Sequence, residues 1–251
     1  MRLTVIGSGD AFGSGGRLQT CFHVTTPDTT FLVDCGASAL IGMHREGLDP
    51  NAVDTIFITH FHGDHFAGLV WWKIHAHHTI RRSRKLTIVG PKGLKQRFNQ
   101  ACEVLFPGSS RVEPRFELEL VEFEAHEPIE VDGTRLTAFR GDHPSGALSS
   151  ALRRERAGTT LSYSGDTQWV DDLIPCATGA DLFITECYSF DEVKIPYHLN
   201  WQVLNDKLPA LGAQRVLLTH MNVNMLGSLE KVRAEGPENL LLAHDGLVID
   251  L

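Results

Sequence analysis

The chain has 251 residues, 42% of them apolar and 22% charged, and a formal net charge of −8 with histidine neutral. That length suits one large domain or two small ones with a sizeable core, and the composition is ordinary for a soluble globular protein. The acidic balance argues against broad nucleic-acid binding, which rests on Lys and Arg contacts to phosphate, and no run approaches the roughly 18 apolar residues that span a bilayer.

In chain order, the first strand is expected at residues 3–6. It follows the N-terminus so closely that no room is left for a signal peptide. Five scattered cysteines (Cys21, Cys35, Cys102, Cys176 and Cys187) show no paired spacing. They read as reduced, mostly buried thiols, and a cytoplasmic location is expected. Strands follow at 30–33, 53–59, 86–89, 116–123, 136–139, 160–163, 182–185, 216–219, 240–243 and 247–249. Helix-like stretches lie between several of them, at 37–46, 94–106, 169–178, 201–208 and 228–234. Such a mixture of strands and helices predicts layered α/β or α+β architecture. No linker, repeat or low-complexity run divides it, so residues 1–251 are read as one domain.

The run His60-Phe61-His62-Gly63-Asp64-His65 leaves the carboxyl end of the strand expected at 53–59. Neutral imidazoles with a carboxylate suit a borderline-soft divalent ion, and side chains this close in sequence can reach one centre. Gly63-Asp64 permits a tight turn, and Asp64 is also placed to cap the helix that follows.

Polar residues close four further strands in the same way. Asp142-His143 follows Phe139, Ser164-Gly165-Asp166 follows Tyr163, Glu186 follows Thr185, and His220 follows Thr219. Groups at strand ends converge on one edge of a sheet, where α/β folds commonly build their sites. His244, after Ala243, competes with His220 for the last position. His23, His44, His75, His77, His78 and His126 carry no motif and are assigned surface or packing roles. The basic stretch Arg81-Arg82-Ser83-Arg84-Lys85 reads as a solvated segment before a strand, with contact to a phosphate-bearing substrate as the alternative.

These segments together resemble the metallo-β-lactamase superfamily of binuclear metallohydrolases, and the ribonuclease Z branch in particular. The resemblance is carried by Leu32-Val33-Asp34-Cys35-Gly36, the His60-to-His65 run, Gly141-Asp142-His143-Pro144, Ser164-Gly165-Asp166-Thr167 and Leu218-Thr219-His220-Met221. Gly7-Ser8-Gly9-Asp10-Ala11-Phe12-Gly13 with Arg17, and Ala243-His244-Asp245-Gly246, also match that branch. The implied fold is a four-layer αββα sandwich. The implied ligands are His60, His62 and His143 for one ion and Asp64, His65 and His220 for the other, with Asp166 bridging. Two divalent ions are implied, zinc first, with Mn2+ or Fe2+ fitting the same geometry. By the same resemblance Asp34 orients the ligand loop, and His198 serves the leaving group with Glu186 behind it. Asp64, His198 and Glu186 are the implied catalytic groups. The family motif favours His220 over His244, and the branch generally has tyrosine at the latter position. His244 is left to face the substrate or to support the site.

One departure bears on substrate. In ribonuclease Z a long arm that grips transfer RNA is inserted between the third-motif histidine and the bridging aspartate. Here that interval holds only residues 144–165, which read as a hairpin with strand 147–154, a turn at Ala157-Gly158 and a return strand from Thr159. The expected function is a binuclear metal-dependent phosphodiesterase acting on a small or cyclic phosphodiester, with a metal-bridging hydroxide as nucleophile. The alternatives are hydrolysis of carboxylic esters, thioesters or lactones at the same site, a tRNA 3′-processing endonuclease-like activity, and a metal-binding protein without turnover. A small-molecule substrate is expected, with no stable nucleic-acid complex and no membrane association. Relatives suggest a homodimer.

Overall fold

Leu32 and Ile56 alternate with Phe31, Val33 and Phe57, so their strands are apolar on both faces and need cover on both. The computed structural model, which describes residues 1–191 and 197–251, supplies that cover with a second sheet on one side and helices on the other.

The first sheet draws on the N-terminal half. It contains β1 (Arg2–Gly7), β2 (Cys21–Thr25), β3 (Thr30–Val33), β4 (Thr55–Phe57), β5 (Leu86–Pro91) and β6 (Leu118–Phe123) in that order, with β14 (Val248–Asp250) beyond β1. The second runs β13 (Leu240–Leu242), β12 (Val216–Thr219), β11 (Leu182–Glu186), β10 (Thr159–Tyr163), β9 (Ser150–Arg156), β8 (Thr134–Arg140) and β7 (Ile129–Val131). In each, one block is parallel: β3 to β6 in the first and β10 to β13 in the second.

Three apolar layers hold the sheets and helices together. Leu3, Phe22, Phe31, Val33, Phe57 and Val89 meet Leu136, Leu152, Leu161, Ile184 and Leu217 between the sheets. Ile6, Leu32, Ile56 and Ile88 pack outward beneath α1 (Ala39–Arg45), α3 (Gly68–Ile74) and α4 (Leu94–Leu105) through Met43, Leu69, Trp72 and Phe98. On the far side, Phe183, Val216 and Leu218 lie beneath α5 (Leu173–Ala177), α6 (Trp201–Leu211) and α8 (Leu229–Glu235). The result is the four-layer αββα sandwich. Among the described residues no helix is long and apolar enough to cross a membrane.

Some local readings change. β2 was not expected, because His23 interrupts its apolar run. The imidazole is nonetheless 4% exposed, and burial holds it down at about 4. Asp64 does not cap α2 (Gly63–Phe66), since His62 occupies that position and Asp64 lies inside the first turn. The stretch from Arg81 is not simply solvated: Arg82 is buried and donates to the carbonyls of Asn51, Val53, Arg84 and Lys85. Arg84 pairs with Asp54 and Lys85 with Glu119, so three of the four basic residues of the segment tie strands together, and Arg81 is left exposed. All five cysteines are free and buried.

Candidate metal centre

Parallel strands that end at one edge deliver their following residues to one place. β4 leads to His60, His62, Asp64 and His65 through the turn into α2. β8 leads to His143, β10 to Asp166, β11 ends on Glu186, and β12 leads to His220. Two of the site residues hold left-handed backbone, Asp34 at φ 56° and His220 at φ 58°. That strain persists because the surrounding strands fix it. Close packing contributes as well: a Cβ on Gly36 would lie 2.3 Å from the Asp64 carbonyl oxygen, so only glycine lets the ligand loop sit this tightly.

Ligand-bearing atoms form two adjoining groups, His60, His62 and His143 in one and Asp64, His65, Asp166 and His220 in the other. Nε2 of His65 and His220 each lie 3.2 Å from Asp64 Oδ2, and they lie 3.2 and 3.3 Å from Asp166 Oδ2. Donors about 2 Å from one tetrahedral ion stand roughly 3.3 Å apart, so these separations fit a shared cation. Asp166 Oδ2 also lies 3.8 Å from His60 Nε2 and 3.9 Å from His143 Nε2, which places one carboxylate between both groups. His60 Nε2, His65 Nε2 and Asp166 Oδ1 are buried with no hydrogen-bond partner. Orphaned polar atoms at one point are costly unless something binds them, and imidazole with carboxylate is a donor set for a divalent metal. The residues fit that group.

Hydrogen bonds behind the donors set their tautomers. His65 Nδ1–H donates to Asp34 Oδ2 at 2.7 Å, which leaves the Nε2 lone pair facing the centre. Asp34 also accepts from the Thr59 amide at 2.8 Å and from its hydroxyl at 2.9 Å. The same hydroxyl oxygen, 3.0 Å from His60 Nδ1, accepts the proton there. One buried carboxylate thus orders two imidazoles, one directly and one through Thr59. His143 Nδ1–H donates to the Tyr197 carbonyl at 2.9 Å.

The electrostatics agree. Burial holds His60 well below its ordinary value and His143 at about 4, so both rings are neutral and keep a lone pair. Burial alone would raise Asp64 and Asp166, but His65 and His220 outweigh it and hold both carboxyls well below the usual range. Around His65, burial is overcome by Asp166, Asp64 and Asp34, which pull its pKa well up. Buried carboxylates of this density draw positive charge, which a divalent cation supplies.

His198 stands beside this cluster. Its Nδ1 is 3.0 Å from both oxygens of Glu186, a fully buried carboxylate that also accepts from the Thr167 amide. Burial disfavours the imidazolium, yet Glu186 prevails and lifts His198 to about 9. Tyr188 stacks on the ring at 4.7 Å and His220 at 5.6 Å. Together with Ala11, Phe12, His62, Asp64, His143 and Asp166, these residues line a cleft of about 230 Å3.

The structure therefore brings together His60, His62, Asp64, His65, His143, Asp166, His198, Glu186 and His220, with Asp34 behind them. It does not bring in His244, which is exposed, bonds the carbonyl of its own neighbour Asp245 and is absent from the cleft lining. Asp245 is the engaged residue there, accepting from the Ser8 and Leu18 amides. Thr59 and Tyr188 were not singled out from sequence. A hydroxyl at the end of an apolar strand was the available signal for Thr59.

Site and fold define a metal-dependent hydrolase of the metallo-β-lactamase fold, ribonuclease Z-like in its sequence relatives. The sequence model of the family described as anti-Pycsar protein Apyc1 matches residues 1–241, and the chain belongs to that family. It is 25% identical over 261 residues to ribonuclease Z of Agathobacter rectalis, covering 84% of each chain. Among solved structures it is similar to the metallo-β-lactamase-fold protein YhfI of Bacillus subtilis, with a TM-score of 0.81 and 22% identity over 99% of this chain and 98% of that one. It is also similar to a diphosphatase of the PhnP family, with a TM-score of 0.78 and 21% identity over 100% and 97%.

Proposed function

We propose that this protein is a binuclear phosphodiesterase acting on a small or cyclic phosphodiester. The observation that carries the reading is the pairing of the metal-type donor cluster with His198 on Glu186 in one narrow cleft. His60, His62 and His143 would hold one ion, Asp64, His65 and His220 the other, and Asp166 would serve both. Zinc suits this imidazole-rich set, with manganese or iron as substitutes. Bound there, two divalent ions would activate water as the nucleophile and offset charge on the phosphoryl oxygens.

The chain's own residues supply the rest. Glu186 fixes the His198 ring through Nδ1 and favours its protonated form, leaving Nε2–H for the cleft. An imidazolium so held donates a proton to a departing alkoxide, which a phosphodiester produces and which leaves poorly without one. Tyr188 and His220 both pack against the ring and restrict it. Between His143 and Asp166 the chain makes only the β9–β10 hairpin, so the cleft is served by no long insertion there. A small diester fits this geometry better than a folded nucleic acid.

The test is turnover by the metal-loaded protein of bis(p-nitrophenyl) phosphate beside p-nitrophenyl acetate. Diester hydrolysis that far exceeds ester hydrolysis, and that stops on chelation, is expected. Chelator-sensitive ester hydrolysis with no diester turnover would overturn the proposal.

A further inference from the structure

Among the donor imidazoles, His65 is steadied at Nδ1 by Asp34, His60 by Thr59 and His143 by the Tyr197 carbonyl. His220 is not. Its Nδ1 is buried and has no hydrogen-bond partner among the described residues, while Nε2 faces Asp64 and Asp166. Stacking on His65 and His198 limits the tilt of the ring and sets no hydrogen-bond direction. The reach of Nε2 therefore falls to the backbone. That backbone is left-handed at φ 58°, a conformation that a side chain disfavours and that persists only where neighbours impose it.

The neighbour is Ser8, fully buried just past β1. Its carbonyl accepts from the His220 amide at 3.1 Å and from the Thr219 hydroxyl at 3.4 Å. Ser8 is held in turn by Asp245, in the turn between β13 and β14. Asp245 Oδ1 accepts from the Ser8 amide at 2.9 Å and from its hydroxyl at 2.8 Å, and Oδ2 accepts from the Leu18 amide at 2.8 Å. Arg17 closes the knot by donating to the Ala243 carbonyl at 2.7 Å and to the Ser8 hydroxyl oxygen at 3.2 Å. An ionised acceptor makes stronger bonds than a neutral one. Here both of its oxygens are spent on a segment that carries no donor itself but abuts one.

We infer that Asp245 is a positioning residue for His220, acting through Ser8, and that it sets the affinity of the ion that Asp64, His65 and His220 would hold. The inference rests on that ligand assignment and is independent of the substrate. A support that touches a ligand directly is worth roughly 10- to 100-fold in metal affinity. Acting through one intervening residue, Asp245 is expected at the lower end of that range.

The experiment is zinc competition against a chromogenic chelator on the full chain, resolved into two affinities, for wild type, Asp245→Asn, Ser8→Ala and Thr55→Val. Asparagine keeps the size of the side chain but accepts at one end only, so either the Ser8 or the Leu18 contact is lost. In Asp245→Asn one affinity should fall about tenfold while the other stays within about twofold. Ser8→Ala, which removes only the hydroxyl, should weaken the same ion by a smaller factor. Thr55→Val controls for stability alone: it deletes a buried bond to Asp132 at the end of β4 away from the ligands, and both affinities should persist. Unchanged affinities in Asp245→Asn, or an equal fall in both, would overturn the inference. Failure of the ligand assignment looks different: His220→Ala would then keep both ions at wild-type affinity.

Discussion

Asp34→Asn tests whether the buried hydrogen bonds order the donors. The carboxylate accepts three protons, from the Thr59 amide, the Thr59 hydroxyl and His65 Nδ1. The isosteric amide can accept at one end only. If its NH2 faces His65, two donors meet and the ring is driven to carry its proton on Nε2, the atom that must be bare to bind a metal. If the amide turns over, the NH2 opposes the Thr59 amide instead, and a buried N–H loses its partner. Either way one charge-assisted bond of 2.7–2.8 Å in a fully buried position is lost. Loss of such a supporting partner lowers metal affinity by roughly 10- to 100-fold, or about 1.4–2.8 kcal/mol. Zinc competition against a chromogenic chelator reads this directly. Thr59→Val is the companion, since it removes the His60 acceptor and keeps the amide bond to Asp34. It should weaken chiefly the ion held with His60, by about tenfold. Unchanged affinities for both ions in Asp34→Asn would refute the reasoning.

Two further predictions concern stability. His23 has its pKa lowered from 6.5 to about 4 by burial, so the unfolded chain binds the extra proton and stability falls as pH drops through that window. About 2 kcal/mol should be lost by pH 5. Melting curves of wild type and His23→Gln at pH 7 and 5 should therefore diverge, and parallel shifts would count against the assignment. Arg82→Ala, which strips donors from four carbonyls, should cost about 3–5 kcal/mol in urea unfolding. Arg82→Lys should recover only part of this, because an ammonium cannot reproduce the fork. A midpoint within error of wild type in Arg82→Ala would show that the knot is dispensable.

Much of the sandwich was legible because its strands are short, apolar and followed by polar residues at one end. β4, β10, β11 and β12 each hand a donor or acid to the same edge, and that regularity survives in the linear order. What was not legible depends on partners far away in sequence. Thr59 matters only because Asp34, on the neighbouring strand, folds against it. Arg82 looks like one of several surface cations until the carbonyls of Asn51 and Val53 close around it. Tyr188 gains its place only when Glu186 turns His198 into the stack. His244, expected to face the substrate or support the site, lies outside the cleft for the opposite reason: it follows β13 at the sheet edge and is exposed to solvent.

The most direct test of the phosphodiesterase claim is the leaving-group dependence of His198→Ala. Turnover of a cyclic nucleoside monophosphate, which expels an alkoxide, is compared with bis(p-nitrophenyl) phosphate, whose leaving group needs little proton transfer. With both metals bound, the substitution should lower kcat on the cyclic substrate by roughly 10²–10⁴ and on the activated diester far less. An equal loss on both substrates, or none on the cyclic one, would contradict proton donation by His198.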